Sequence, residues 1–135
     1  MGLTSAEAAL SMLRDRGVRI VLDDFSGGMS CFDCLRKLPI DAIKIDASFA
    51  ERVSRYTDDG PLVRNIVERA HSLGLDVLAE GIESPAQLTD LVGMDCDGIQ
   101  GYLISSPVDA AFASRMVETS WIPPLEALDQ NFIAT

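Results

Sequence analysis

Leu73-Gly74-Leu75-Asp76-Val77-Leu78-Ala79-Glu80-Gly81-Ile82-Glu83 holds the end of one element, the whole of a second and the approach to a third. Gly74 suits a helix end, because glycine enters the left-handed region at no steric cost. Residues 76–80 form a short apolar run of strand length that finishes on a carboxylate. Upstream, Leu62, Val63, Ile66, Val67, Ala70 and Leu73 recur at helical spacing. Asp59-Gly60-Pro61 opens that helix, with proline near its first position. Downstream, Ser84-Pro85-Ala86-Gln87 reads as a capping box, starting a helix that reaches about Val92. A strand set between two helices, each with its own start and stop signals, is one repeat of an alternating α/β chain.

The alternation continues in both directions. Ala6, Ala9, Leu10 and Leu13 give a helix that Gly17 can end, and residues 18–22 form a first strand. That strand stops at Asp23-Asp24-Phe25, before the turn Ser26-Gly27-Gly28. Residues 30–38 form a helix halted by Pro39. Ala42-Ile43-Lys44-Ile45-Asp46 is a second strand, residues 98–102 a fourth, and residues 110–118 a last helix. Four strands alternating with helices imply a parallel sheet with right-handed crossovers. Residues 1–118 form one α/β domain, and residues 119–135, with Pro123-Pro124, form a tail of no clear period.

Composition narrows the function classes. The chain has 135 residues and a formal net charge of −10, enough for one domain. Such a charge repels nucleic-acid polymers and leaves phosphates to be handled through divalent metal or a few placed donors. No apolar run approaches about 18 residues, so no transmembrane segment is expected. The first residues lack the basic-then-apolar order of a signal peptide, and the expected location is cytoplasmic. Cys31 and Cys34 read C-x-x-C, yet no second ligand pair accompanies them; with Cys96 they are taken as structural. His71, near a helix end, is expected to cap carbonyls or favour the helix dipole.

The polar residues follow the strands. Asp23 and Asp24 close the first, Lys44 and Asp46 the second; Glu80 and Glu83 follow the third, and Gln100 lies in the fourth. In a parallel sheet these ends share one rim, where ligand and catalytic groups gather. A single acidic residue after a strand is commonly a cap or turn former, and Asp46, followed by Ser48 and Phe49, is read that way. The set as a whole points to divalent metal, because crowded carboxylates repel unless cations neutralise them. Two metals bridged by a carboxylate such as Asp23 suit phosphodiester cleavage, with a lysine to orient water or offset charge.

Four stretches resemble the EAL family of bacterial cyclic-di-GMP phosphodiesterases, in order and in spacing. They are residues 20–25 (Ile-Val-Leu-Asp-Asp-Phe), 38–46, 73–83 and 100–105 (Gln-Gly-Tyr-Leu-Ile-Ser), within a resemblance that covers residues 5–117. The resemblance implies a partial TIM-like (β/α) barrel of about four parallel βα units. It also implies Mg²⁺ or Mn²⁺ as cofactor and hydrolysis of cyclic-di-GMP to the linear dinucleotide. By it, Asp23 and Asp24 are the metal-binding pair, Lys44 is the active-site lysine, and Glu80 is a metal ligand with a catalytic role. Glu83 and Gln100 support the site.

The resemblance also marks departures. The family's Glu-Ala-Leu motif and its upstream asparagine and glutamate ligands have no counterpart here, and Glu7-Ala8-Ala9-Leu10 lies on a helix without catalytic residues. Ser26, Gly27, Met29 and Cys31 replace the usual residues of the loop after the aspartates, and Ser106 stands where a basic residue is usual. A family barrel needs about 250 residues. The first expectation is therefore a phosphodiesterase part that is inactive alone. The second is a degenerate module that binds cyclic-di-GMP or a protein partner, and the third is a truncated gene product. Half a barrel leaves two strand edges open and an apolar face of Ile20, Leu22, Ile43, Ile45, Val77 and Leu78 to cover. A homo-oligomer, or another chain completing the barrel, is expected.

Overall fold

The computed structural model describes residues 3–25, 32–33, 35–46 and 60–119. Helix α1 (Leu3–Arg14) leads to strand β1 (Val21–Leu22), and β2 (Ala42–Asp46) leads through α2 (Gly60–Ser72) to β3 (Asp76–Glu80). Then come α3 (Pro85–Val92), β4 (Gly98–Gln100) and α4 (Ala110–Glu118). The four strands form one parallel sheet in the order β1-β2-β3-β4. Phe32, Asp33 and Leu35 are helical, as expected for residues 30–38. Cys31, Cys34 and the loop of residues 26–30 lie outside the described residues, as do residues 120–135 of the tail.

Both helix stops rest on the expected glycines. Gly17 takes φ +82° and Gly74 φ +74°. Val18 N–H donates to the Leu13 carbonyl at 3.1 Å and Gly17 N–H to that of Arg14 at 2.8 Å. The same pair of bonds, at 3.0 and 2.9 Å, closes α2 at Leu75 and Gly74. This is the Schellman pattern. It shortens β1 relative to the expected residues 18–22: Val18 stays tied to α1, and Ile20 N–H goes to Asp41 Oδ2 at 2.7 Å. β4 also ends early, because Ile104 and Ser105 fold back to donate to the Gly101 carbonyl.

Side chains alternate between the two faces of a strand. Leu22, Ile43, Ile45, Val77, Ala79 and Ile99 share one face and join α2 residues Val63, Ile66, Val67 and Ala70 in a single core with Leu88 and Leu91 of α3. Each fully buried Val, Leu or Ile there contributes about 1.5–3 kcal/mol. This corrects the expected uncovered face. Ile43, Ile45 and Val77 are fully buried, and Leu78, one residue past Val77, points to the opposite side. The other face carries Val21, Ala42 and Leu78 below, and Lys44, Glu80 and Gln100 towards the strand ends.

The outer helices are packed differently from the inner ones. α4 has no buried residue, and in α1 residues 5–14 are exposed or half-buried. Met12, Leu13, Val18 and Val21 stay exposed beside the β1 edge, and Tyr102, Val108, Phe112 and Val117 after β4. No helix among the described residues is long and apolar enough to cross a membrane.

Candidate active site

β1, β2 and β3 present their C-terminal ends at one rim. Asp23 leaves β1, and Asp24 takes φ +56°, a conformation that aspartate tolerates because its short side chain bonds locally. Its N–H donates to Asp23 Oδ1 at 3.0 Å. Phe25 N–H then returns to the Lys44 carbonyl at 3.0 Å, carrying the Phe25 ring into the core, edge-on to Phe32 at 5.0 Å. The two carboxylates are thus held out at the rim by an aromatic anchor directly behind them.

Lys44 stands between strands. Its Nζ is 3.3 Å from Glu80 Oε2 and 3.8 Å from Asp23 Oδ1, and only 19% of its side chain is exposed. Its flanking residues Ile43 and Ile45 are fixed in the core, so the lysine stem has little freedom. Asp23, at 64% exposure, gains little from this pair, since solvent screens it. One carboxylate oxygen from each of Asp23, Asp24 and Glu80 lies within 4.8 Å of the others. Three carboxylates against one ammonium leave a net charge of −2, and the donors are hard oxygens. That set fits a hard divalent cation.

Glu80 and Gln100 are held by backbone contact. Glu80 is in register with Asp46 on one side and Gln100 on the other. Gly81 turns the chain at φ +76°. Ile82 N–H donates to the Gln100 carbonyl at 3.2 Å, and Leu103 N–H to the Ile82 carbonyl at 3.0 Å. Gly101 lies so close to this loop that a Cβ on it would stand 2.2 Å from the Ile82 carbonyl oxygen.

The structure therefore brings Asp23, Asp24, Lys44 and Glu80 together and sets Gln100 beside Glu80. Glu83 is exposed, with its N–H on Gln87 Oε1 at 2.9 Å, and stands outside the carboxylate cluster. Asp46, read from the sequence as a turn former, is half-buried and level with Glu80. The period-two spacing of Lys44 and Asp46 was the signal for it. His71 stands in the last turn of α2, and its Nε2 meets Asp97 Oδ2 at 2.8 Å. Cys96 is a buried free thiol, pushed up to about 12 chiefly by burial and then by Asp97 and Asp95, so it stays protonated and inert.

The family model for the EAL domain matches residues 2–107. Among curated relatives, an uncharacterized protein of Mycobacterium tuberculosis, Rv1354c, is 38% identical over 122 residues, 90% of this chain and 20% of its own length. Cyclic di-GMP phosphodiesterase NbdA of Pseudomonas aeruginosa is 38% identical, over 90% of this chain and 16% of its own length. Cyclic di-GMP phosphodiesterase PdeL of Escherichia coli is 39% identical over 76% of this chain and 28% of its own. The solved EAL domain of Mycobacterium smegmatis DcpA superposes with a TM-score of 0.78 at 30% identity, over 91% of this chain and 55% of that one. The PaMucR phosphodiesterase, solved with c-di-GMP, gives 0.70 at 34% identity, over 82% and 44%. The chain thus spans between about a sixth and a quarter of these curated relatives, and about half of the solved chains. EAL domains are TIM barrels, and the four-stranded parallel sheet with its alternating helices corresponds to part of one. With the matched span taking in the aspartate pair, Lys44, Glu80 and Gln100, the chain belongs to the EAL-domain family.

Proposed function

We propose that this chain carries the C-terminal half of a metal-dependent cyclic-di-GMP phosphodiesterase site and is inactive without the other half. One observation carries the proposal: the convergence of Asp23, Asp24 and Glu80 within 4.8 Å, with the Lys44 ammonium 3.3 Å from Glu80. The names of NbdA and PdeL support the substrate.

Asp23, Asp24 and Glu80 would hold Mg²⁺ or Mn²⁺. Bound there, the cation would lower the pKa of water and neutralise charge developing on phosphate oxygens. Lys44 keeps a fixed ammonium at the rim, where it can donate to an attacking water and offset negative charge. Gln100 presents an amide beside Glu80, and Glu83 supports the site from the following turn. The rest of an EAL barrel would supply the remaining ligands, and a cytoplasmic location suits a signalling nucleotide.

The test pairs Mn²⁺ binding, followed by the electron paramagnetic resonance of the free ion, with chromatography of cyclic-di-GMP incubations. The expected result is Mn²⁺ bound, at least tenfold weaker binding in Asp23→Asn, and no linear product from the chain alone. Cyclic-di-GMP retained without turnover would favour the binding-module reading. Mn²⁺ affinity indifferent to both Asp23→Asn and Glu80→Gln would overturn the site.

A further inference from the structure

We propose that a pocket between the helix bearing Phe32 and the last turn of α2 binds a small phosphate monoester, with the guanidinium groups of Arg36 and Arg69 on its phosphate. The inference goes beyond the proposed function and does not depend on it.

The pocket has a volume of about 330 Å³ and is lined by Phe32, Arg36, Arg69, Ser72 and Leu73. That size suits a small molecule and lies at the lower end for ligand sites. The pocket stands in the helix layer. Phe32 packs with α2 and the buried strand face, whereas Lys44 and Glu80 rise from the opposite face.

Charge singles this pocket out. On a chain of net −10, basic side chains usually find a local partner. Arg14, Arg19 and Lys44 sit in ion pairs, and Arg64 donates to the Gly93 carbonyl at 2.8 Å. Arg36 and Arg69 have no ion pair among the described residues. Asp33 and Glu68, their nearest carboxylates along the chain, do not line the pocket. Arg69 stands in the last turn of α2, where its charge favours the helix dipole. That role uses the charge and leaves the N–H groups to donate elsewhere.

The geometry selects the ligand. Arg69 Cζ lies 5.1 Å from the centroid of the Phe32 ring, and that ring is buried, edge-on to Phe25 at 5.0 Å. Stacking orients the guanidinium plane, so less freedom is lost when its fork is used. Such forks match the paired oxygens of phosphate or carboxylate. Two guanidinium charges balance a phosphate monoester, which carries about −1.5 to −2 near pH 7; a carboxylate would leave one of them uncompensated. Ser72 Oγ already donates to the Arg69 carbonyl at 2.7 Å, so towards the pocket it accepts. Leu73 adds an apolar wall. The ligand is therefore a phosphate on a compact, partly apolar body.

Titration of the intact chain in metal-free buffer tests this, read from the arginine Nε–H resonances in nitrogen-15 NMR. Phenyl phosphate should bind saturably with a Kd of about 1 mM or below. Inorganic phosphate and benzoate should each bind at least about tenfold more weakly, the first for want of a body and the second for want of charge. Arg36→Gln and Arg69→Gln should each weaken phenyl phosphate by about tenfold or more. Arg36 touches no packed ring, so its variant keeps the test readable if Arg69→Gln disturbs the fold. Arg16→Gln and Asp23→Asn should leave the affinity unchanged. No saturable shift up to about 10 mM, benzoate binding as well as phenyl phosphate, or an equal loss in Arg16→Gln would each overturn the proposal. Inorganic phosphate binding as tightly as the ester would overturn it too, reducing the pocket to an adventitious anion site.

Discussion

Gly101 and Asp24 shape the rim through their backbones. A Cβ on Gly101 would meet the Ile82 carbonyl oxygen at 2.2 Å and its nitrogen at 2.3 Å. Backbone atoms cannot swing aside as a side-chain tip can. Gly101→Ala should therefore cost about 3 kcal/mol, read as a lower urea midpoint with an unchanged slope. An unaltered midpoint would mean that the loops after β3 and β4 part freely. The sequence shows a glycine at this position but not the loop that presses on it, since that contact joins residues 19 apart. Likewise Asp23-Asp24 announces two carboxylates, while the positive φ of Asp24 that aims them follows from the return of Phe25 to the core.

At the scale of elements, two aspartates do the same work at different places in the repeat. Asp41, one residue before β2, accepts the Ile20 N–H at 2.7 Å and pairs with Arg14 at 2.9 Å. Asp97, one residue before β4, accepts the Val77 N–H at 2.7 Å and meets His71 at 2.8 Å. Each ties the entrance of one strand to its neighbour and to the helix that precedes that neighbour. Asp97→Ala leaves the Val77 N–H without its acceptor and should destabilise the fold by about 1–3 kcal/mol. Thermal unfolding that is the same in Asp97→Ala and the parent chain would sink this account. The helix signals were legible locally: the Ser84 capping box forms as expected, with Gln87 N–H on Ser84 Oγ at 3.3 Å. The aspartate ties were not, because their partners come from other elements.

For the molecule as a whole, the sheet predicts a gradient of protection. Among the described residues, β2 and β3 are bonded on both sides, whereas β1 and β4 are bonded on one. Native-state hydrogen exchange should find the amides of Ile43, Ile45, Val77 and Ala79 the slowest, opening at or near the global unfolding free energy. Amides on the outer sides of β1 and β4 should exchange faster by orders of magnitude. Equal protection across all four strands would contradict the single-sided pairing.

The sequence by itself determined the α/β alternation, the bounds of α3 and α4, both glycine stops, and the rim set of Asp23, Asp24, Lys44 and Glu80. Those signals are local: a period, a cap, a carboxylate at the end of an apolar run. Only the tertiary structure decided which strand face is the core, that Leu78 lies opposite Val77, that Asp46 stands level with Glu80 and that Glu83 stands apart. It also decided that β1 has two residues rather than five, because Val18 and Ile20 give their N–H groups to partners outside the ladder. Those outcomes depend on pairing between residues distant in the chain, and no local pattern encodes the register that sets it.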